Sequence, residues 1–379
     1  MKSENITKIN GAGLKPEVSS PRIKVGILGA TGTVGQKFIV LLQNHPWFEI
    51  SVLAASENSA GKKYTEAVEG RWVQSTPIPD LLKNVVVKDL YKDMADIAHE
   101  VKVVFCAVNM PKDEIKKLES DYAAAGVAVV SNNSANRWTD DVPMIMPEIN
   151  PHHSKLIDIQ RKARGWDKGL IVVKPNCSIQ SYVPAIQALQ KFNPEKVIVT
   201  TFQAISGAGK TFESWPEMLD NVIPLIKGEE EKSEKEPLRI WGEIVDRKIV
   251  PAVKPEISAN CIRVPVSDGH MALVNISFAK KPTKDEILNA WKNYINPIEE
   301  LHLPSAPKEF IKYFEEEDRP QTKLDRDFEN GMGITLGRLR EDNIMDWKFV
   351  SLSHNTVRGA AGGAILTAEL LYKQGYIIN

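Results

Sequence analysis

The sequence predicts an α/β protein in two parts: a doubly wound, Rossmann-type domain, then an α+β domain with a mainly antiparallel sheet. Short apolar strands alternate with helical segments up to about residue 170, which is typical of a parallel sheet. A glycine-rich loop follows the first of these strands. Beyond residue 170 the strands lengthen, and acidic and proline-rich segments connect them, which indicates a second, different sheet.

The elements follow one another closely along the chain. In the first part, strand-like segments cover 23–28, 50–54, 102–108, 127–130 and 169–173, and helical segments cover 36–43 and about 111–125. In the second part, strands are predicted over 196–203, 258–265 and 270–278. A glycine- and alanine-rich helix over 357–375 is expected to return to the first domain. We therefore place a polar tail at 1–21, a first domain at 22–174 completed by a C-terminal helix at 356–379, and a second domain at 175–355.

Composition and charge narrow the class of protein. The formal net charge of −1 gives no reason to expect a nucleic acid or an anionic membrane as partner. No apolar run approaches the roughly 18 residues of a membrane-spanning helix. Three cysteines in 379 residues fit a reducing compartment. The polar first 21 residues lack the apolar core of a secretory signal, so we expect a cytoplasmic protein with a disordered or loosely docked tail.

Cys177 is the strongest candidate for a reactive side chain. It follows a short apolar strand and a break at Pro175, and a helix is predicted to begin there. Unpaired N–H groups and the helix dipole at such a position favour a thiolate and an oxyanion. Cys106 and Cys261 lie inside apolar strands and are expected to pack. The alternative for Cys177 is an inert, buried thiol.

The loop from Gly29 to Gly35 predicts a dinucleotide site. Its three glycines, Gly29, Gly32 and Gly35, follow a predicted strand and open a predicted helix, which is the context that this motif requires. Glycine lets the backbone turn tightly and approach a pyrophosphate at the helix N-terminus. The alternative is an ordinary tight turn.

The end of the second strand decides which dinucleotide is expected. Ser56 and Ser59 with the nearby Lys62 and Lys63 suit a 2′-phosphate, so we expect NADP(H). Glu57 is the alternative, since an acidic residue here holds the ribose of NAD. The two lysines could also belong to a solvated loop.

Other polar residues lie where a bound substrate would need them. Arg137 follows a strand of the first sheet and could bind a phosphate or carboxylate, or remain a surface arginine. A two-residue turn at Asp268 and Gly269 would place Arg263 and His270 on one face of a hairpin. There the histidine could transfer a proton and the arginine could bind a carboxylate. His152 and His153 lack metal-ligand spacing, and we expect no metal. By composition alone, the charged run 227–236 indicates a solvated helix face.

These motifs together resemble the aspartate-semialdehyde dehydrogenases, especially the branch found in fungi and archaea. The resemblance extends from about Arg22 to Asn379, and the tail 1–21 falls outside it. The motifs that carry it are Gly-Ala-Thr-Gly-Thr-Val-Gly at 29–35, Pro-Asn-Cys-Ser at 175–178, Gln-Ala-Ile-Ser-Gly at 203–207, Glu-Glu-Glu-Lys at 229–232, Arg263 with His270, and Asn-Thr-Val-Arg-Gly-Ala-Ala-Gly at 355–362.

The resemblance implies a role for each matching residue. Cys177 matches the acylated nucleophile, His270 the acid/base, and Gln203 a residue that orients the substrate. Arg263 matches the clamp on the substrate α-carboxylate, and Glu229 the acid at its amino group, although a slip of one residue would shift that role to Glu230. Lys232 and Arg137 match the phosphate binders, with Asn133 as a helper. The implied cofactor residues are Gly29, Thr31, Gly32, Thr33, Val34, Gly35, Ser56, Ser59 and Asn355.

The resemblance also implies the reaction and the assembly. The expected reaction is NADPH-dependent reduction of aspartyl-4-phosphate to aspartate 4-semialdehyde and phosphate, in lysine, threonine and methionine biosynthesis. The second-domain sheet is expected to build a homodimer or homotetramer. One alternative is a related enzyme with the same chemistry, such as an N-acetylglutamyl-phosphate reductase. The other is an NADP-binding regulatory protein that has kept the fold and lost catalysis.

Overall fold

The structure, a computed structural model, describes residues 22–378, so the predicted polar tail lies outside the described residues. The first part of the chain alternates strands and helices. In chain order they are β1 (Ile23–Leu28), α1 (Thr33–Leu42), β2 (Phe48–Ala55), α2 (Tyr64–Ala67), β3 (Lys88–Asp89), α3 (Met94–Glu100), β4 (Val103–Cys106), α4 (Lys112–Ala124), β5 (Ala128–Ser131), α5 (Leu156–Arg164) and β6 (Leu170–Val173).

The first sheet is parallel throughout, as the alternation predicts. Its strand order is β3-β2-β1-β4-β5-β6, so the order reverses at β1. Strands β4, β5 and β6 are buried at every residue, because helices cover both faces of the sheet. The loops after β1 and β4 therefore meet at the carboxyl edge, where doubly wound folds bind ligands.

The second part begins after β6 and contains the longer strands. In chain order it comprises α6 (Val183–Gln187), β7 (Pro194–Gln203), α7 (Glu229–Ile240), β8 (Glu243–Val245), β9 (Lys248–Val250), β10 (Glu256–Arg263), β11 (His270–Phe278), α8 (Lys284–Lys292), β12 (Ile311–Phe314), α9 (Thr322–Asp325), β13 (Ile334–Glu341), β14 (Trp347–Ser353) and α10 (Gly362–Lys373).

The second sheet is mixed, with the order β10-β7-β11-β14-β13-β12. Its three central pairings are antiparallel, as predicted, while the pairings at its two edges, β10 with β7 and β12 with β13, are parallel. Apolar residues of α6 and α8 pack against one face. The opposite face leaves Ile198 and Leu273 40% and 37% exposed.

The predicted hairpin between 258–265 and 270–278 is wrong. Strand β7 lies between β10 and β11 and pairs with both of them. Residues after Arg263 instead follow the end of β7, where the N–H groups of Ile205 and Ser206 donate to the carbonyls of Val266 and Ser267. The chain thus crosses over β7, and Gly269 turns it into β11 with a φ of 98°.

The C-terminal segment packs on the first sheet. A π-helical turn at Val357–Ala361 leads into α10, within the predicted helix. Apolar residues of α10, such as Ile365 and Leu370, share one hydrophobic core with β1 and α1. Within residues 22–378, no helix combines the length and apolarity needed to cross a membrane.

Candidate active site

Cys177 lies between the two sheets, just after β6. A single 3₁₀ turn, Ser178–Gln180, follows it, and α6 begins only at Val183, so the predicted helix immediately after the cysteine is wrong. Asn176 explains part of the difference, because its side-chain oxygen accepts the N–H of Ser178 at 2.7 Å. Short polar side chains often compete in this way with a regular helix start.

Burial disfavours the thiolate that the sequence predicts for Cys177. Burial first, and then the nearby Glu229 carboxylate, raise the pKa of the Cys177 thiol to about 11. Lys174, Arg137 and Arg263 act in the opposite direction. The thiolate therefore depends on these three cations rather than on a helix dipole.

His270 is the titratable side chain beside the thiol. Its Nε2 lies 3.6 Å from Cys177 Sγ, and its Nδ1 accepts the N–H of Ala204 at 3.1 Å. Burial and the charge of Arg263 lower the pKa of His270 to about 3, so the imidazole is neutral near pH 7. A neutral imidazole at this distance can exchange a proton with the sulfur or with a group bound to it.

Arg263 and His270 do lie together, although no hairpin joins them. A Cβ placed on Gly207 would be 3.0 Å from Arg263 Nη1 and 3.0 Å from His270 Nε2. Arg263 Nη1 also donates to the carbonyl of Ala204 at 2.6 Å. The parallel register that pairs Arg263 with Gln203 brings the arginine to the end of β7, beside the start of β11.

Gln203 and Glu229 form the polar wall opposite His270. Glu229 is 8% exposed, and its carboxylate accepts from Asn176 Nδ2 at 2.9 and 3.1 Å and from Lys232 Nζ at 2.6 Å. Gln203 Nε2 approaches the same carboxylate at 3.5 Å. Glu230 instead accepts the backbone N–H of Cys261 at 3.4 Å. Glu229 is therefore the member of the acidic run that faces the thiol.

Arg137 is buried, which excludes the surface alternative. It pairs with Glu236 at 2.9 Å and donates to the carbonyls of Lys174 and Asn132. Glu236 also accepts the N–H of Asn176 at 2.6 Å. Sequence reasoning missed Glu236, although it lies seven residues, about two helical turns, after Glu229 and so shares its face of α7.

Asn133 is directed away from these residues. Its Nδ2 lies 3.3 Å from Cys106 Sγ and 3.3 Å from a carboxylate oxygen of Glu119, inside the first domain. Its side chain thus donates a hydrogen bond to buried Glu119, and no described contact links it to Cys177.

The glycine loop has the close approaches that a dinucleotide loop needs. Gly29 has a φ of 86°, and a Cβ there would lie 2.5 Å from the carbonyl of Ala107. A Cβ on Gly35 would lie 2.2 Å from the carbonyl of Gly29. Helix α1 begins at Thr33 without a side-chain cap at Gly32, which leaves the N–H groups of its first turn for a ligand.

Two residues that sequence reasoning missed hold this loop in place. Tyr64 donates its hydroxyl to the carbonyl of Ala30 at 2.8 Å, and Gln36 donates its amide to the carbonyl of Thr31 at 3.1 Å. Neither matches the glycine motif, and Tyr64 is 34 residues from its partner. Only the fold brings it there.

The residues at the end of β2 form a turn at the carboxyl edge of the first sheet. Ser56 is exposed, and the N–H of the buried Ser59 donates to its carbonyl at 2.9 Å. Glu57 lies 3.8 Å from Lys92 in a solvent-exposed pair. Lys62 and Lys63 are exposed.

Asn355 joins the two halves of the site. Its side chain accepts the N–H of Gly269 at 2.8 Å and donates to Ser206 Oγ at 2.9 Å. A Cβ on Gly209, at the end of the same loop, would lie 3.9 Å from Thr33 Oγ1 of the glycine loop. The loop that contains Gly207 and Gly209 therefore lies between His270 and the glycine loop. Among residues 22–378, no cluster of His, Cys, Asp and Glu side chains forms a metal site.

Comparisons with known proteins agree with this arrangement. Residues 24–157 match the family described as "Semialdehyde dehydrogenase, NAD binding domain", and residues 184–358 match "Semialdehyde dehydrogenase, dimerisation domain". The aspartate-semialdehyde dehydrogenase of Archaeoglobus fulgidus is 45% identical over 94% of this chain and 100% of that protein. That of Aspergillus fumigatus is 43% identical over 95% of this chain and 99% of its own.

A solved structure is similar over nearly the whole chain. The crystal structure of the Candida albicans aspartate semialdehyde dehydrogenase with NADP has a TM-score of 0.84 and 38% identity, and the match covers 94% of this chain and 100% of that one. Both family domains, the full-length relatives and the shared fold lead to one assignment. The chain belongs to the aspartate-semialdehyde dehydrogenase family.

Proposed function

We propose that the protein catalyses the NADPH-dependent reduction of L-aspartyl-4-phosphate to L-aspartate 4-semialdehyde and phosphate. The observation that carries the proposal is the approach of Cys177 Sγ to His270 Nε2, 3.6 Å, beside the loop of Gly207 and Gly209 that reaches the glycine loop. Family membership supports the choice of substrate. The pathway expected from it is lysine, threonine and methionine biosynthesis, in the cytoplasm.

The first half of the reaction is acyl transfer to Cys177. The thiolate attacks the acyl carbon, an S–C bond forms, and the C–O bond to phosphate breaks. Lys232 and Arg137 would hold the departing phosphate, whereas Asn133, whose side chain is directed toward Cys106 and Glu119, is not placed to help. In this structure Lys232 pairs with Glu229. When the substrate amino group binds to the Glu229 carboxylate in place of Lys232, the lysine is released and can turn to the phosphate.

The second half reduces the thioester. NADPH, when bound, would supply a hydride to the thioester carbon, and the proton that His270 took from the Cys177 thiol would pass to the oxyanion, which gives a thiohemiacetal on Cys177. His270 then removes the hydroxyl proton as the C–S bond breaks, and the aldehyde leaves.

The cofactor is NADP(H), and the glycine loop fits it. There is no room for a side chain at Gly29, which packs against Ala107 after β4, or at Gly35, where the helix packs against the loop. Thr31, Gly32, Thr33 and Val34 would bind the pyrophosphate, and Ser56 and Ser59 would contact the 2′-phosphate. Asn355 would contact the nicotinamide end, since it already joins Gly269 to Ser206 beside the thiol.

The substrate amino acid would be held at both of its charged groups. Arg263 binds the α-carboxylate, because a guanidinium can donate two parallel hydrogen bonds to it. Glu229 binds the α-amino group, and Gln203 orients the acyl group. Glu229 also distinguishes this enzyme from an N-acetylglutamyl-phosphate reductase, because the substrate nitrogen of that reductase is acylated and carries no charge.

The two domains divide these tasks. Residues 22–174 with the C-terminal segment that contains α10 would bind the cofactor, and residues 175–355 would carry catalysis and dimerisation. The open face of the second sheet, where Ile198 and Leu273 lie among polar residues such as Thr200 and Asn275, is the surface that a second copy of the chain would cover. A homodimer or a homotetramer would use it.

The test is reduction of NADP⁺ with aspartate semialdehyde, with and without inorganic phosphate. We expect NADPH formation that requires phosphate, is slower with NAD⁺, and is absent with N-acetylglutamate semialdehyde. Activity only with the acetylated substrate would favour the related reductase. Folded protein that binds NADPH and reduces neither would favour a regulatory role without catalysis.

A further inference from the structure

Lys174 is a buried cation without a carboxylate partner among the described residues. It is 2% exposed, and its Nζ donates one hydrogen bond, to the carbonyl of Pro175 at 3.1 Å. The two neighbouring arginines differ, because Arg137 pairs with Glu236 at 2.9 Å and Arg358 pairs with Glu148 at 2.7 Å. An unpaired buried ammonium is costly, so its retention beside Cys177 calls for a physical reason.

Packing prevents the ammonium from reaching water. A Cβ on Gly363, in the first turn of α10, would lie 2.6 Å from Lys174 Cε. A Cβ on Gly359, four residues earlier, would lie 2.9 Å from Cys177 Cβ. One helical segment thus packs against both side chains, and the Lys174 ammonium is held at the carbonyl of Pro175, two residues before Cys177.

Lys174 and Cys177 each shift the pKa of the other. Burial lowers the pKa of Lys174 to about 7, and the Cys177 thiolate is the largest influence that opposes this. Conversely, Lys174 is the largest of the influences that lower the pKa of Cys177. Other charged groups also face the pair. Arg137, Arg358 and Glu236 lie around the lysine, and Glu229, Arg137 and Arg263 lie around the thiol.

We propose that Lys174 is a positioning residue whose ammonium is the counter-charge of the Cys177 thiolate. It acts through the cysteine and needs no contact with the substrate. The inference rests on the proposed role of Cys177 as nucleophile and names the charged group that favours its thiolate over its thiol. Sequence reasoning did not select Lys174, because the residue before a proline at the end of a strand carries no signal of its own.

The test is the pH dependence of alkylation of Cys177 by iodoacetamide, with the site of modification assigned by peptide mass spectrometry. Lys174→Met keeps the length of the side chain and removes the charge, and Lys174→Gln is a second neutral variant. We expect the midpoint of the alkylation profile to rise by about one pH unit or more in both. The matched control is Arg239→Met, which removes a buried cation that does not face the thiol.

Each outcome bears on the proposal. A midpoint that rises in the Lys174 variants and stays in place in Arg239→Met supports it. An unchanged midpoint in a folded Lys174 variant, or an equal shift in the control, overturns it. Alkylation requires no substrate, so a protein that fails to reduce aspartyl phosphate but shows the shift would overturn the proposed function and leave the lysine's role standing.

Discussion

At the scale of single residues, the side chain and backbone of Asn176 hold the site together. The side chain of Asn176 donates to Glu229 and accepts from Ser178, while its N–H donates to Glu236. It thereby fixes two carboxylates of α7 relative to the residue that follows it, Cys177. A carboxylate held by several donors keeps its position and its charge when a substrate ammonium arrives.

Glu229 and Glu230 give a matched pair of variants on one helix. We expect Glu229→Gln to lower kcat/KM for aspartate semialdehyde about 10- to 100-fold, mainly through KM, because a charged hydrogen bond to the substrate amine is lost. Glu230→Gln should stay near the wild-type value. Steady-state kinetics of both variants test this prediction. Equal losses of kcat/KM in the two variants would show that Glu229 does not bind the substrate amine.

Cys177 is tested by its removal. We expect Cys177→Ala to lower kcat by ~10³-fold or more, because no acyl intermediate can form, while the Kd for NADPH changes little. Fluorescence titration of NADPH supplies the control for folding. Turnover close to wild type would contradict covalent catalysis.

The residues that could be predicted from the sequence are those with motif-like surroundings. Cys177, Gln203, Glu229, Arg263 and His270 stand in matching motifs, and the structure brings them together. Asn176, Gly207 and Glu236 act through contacts with residues distant in sequence. For example, Glu236 meets Asn176 across 60 positions. Local sequence patterns do not contain such pairings, so only the fold reveals them.

At the scale of elements, the fold class follows from sequence periodicity while the strand order does not. The alternation of strands and helices predicts the parallel sheet, and strands β7, β10 and β11 are found near their predicted limits. The tight turn at Asp268 and Gly269 suggested a hairpin, yet β7 lies between the two strands. Turn residues indicate where the chain changes direction and carry no information about which strand becomes the neighbour.

The π-helical turn at Val357–Ala361 places the backbone of Gly359 against Cys177. We expect Gly359→Ala to lower kcat about tenfold or more, because its Cβ would lie 2.9 Å from Cys177 Cβ and must displace it. Ala360→Ser, one residue along and partly exposed, is the control and should behave as wild type. Kinetics of the two variants provide the measurement, and full activity in Gly359→Ala would show that the close approach is not required.

At the scale of the whole molecule, three buried histidines link stability to pH. Burial lowers the pKa values of His153 and His354 to about 4 and that of His270 to about 3. Between these values and about 6.5 the unfolded chain binds more protons than the folded one, so stability is present above 6.5 and is lost as the pH falls. Each histidine contributes a slope of up to about 1.4 kcal/mol per pH unit in this window.

The prediction is that the free energy of unfolding falls from pH 7 to pH 5, and falls less steeply in His153→Gln. His153 is fully buried and bridges Asn150 and the carbonyl of Gly242, so it cannot take a proton without losing one of these bonds. Urea unfolding at several pH values measures both slopes. Identical slopes in the two proteins would contradict the assignment to His153.

The exposed face of the second sheet predicts how the chain assembles. We expect Leu273→Asp to convert the oligomer to monomers, since it would bury a charge between two copies. Leu81→Asp, at a leucine that is 92% exposed, is the control and should leave the assembly intact. Sedimentation of both variants tests the surface, and an unchanged oligomer in Leu273→Asp would place the interface elsewhere.

The most direct test of covalent catalysis is a single turnover without phosphate. Enzyme mixed with aspartate semialdehyde and NADP⁺, but no phosphate, should form about one NADPH per Cys177 in a burst and then stop, because the thioester has no phosphate acceptor. Mass spectrometry should find the aspartyl group on the peptide that contains Cys177, and Cys177→Ala should give neither burst nor adduct. Sustained NADPH formation without phosphate, or a burst with no adduct on Cys177, would contradict the account.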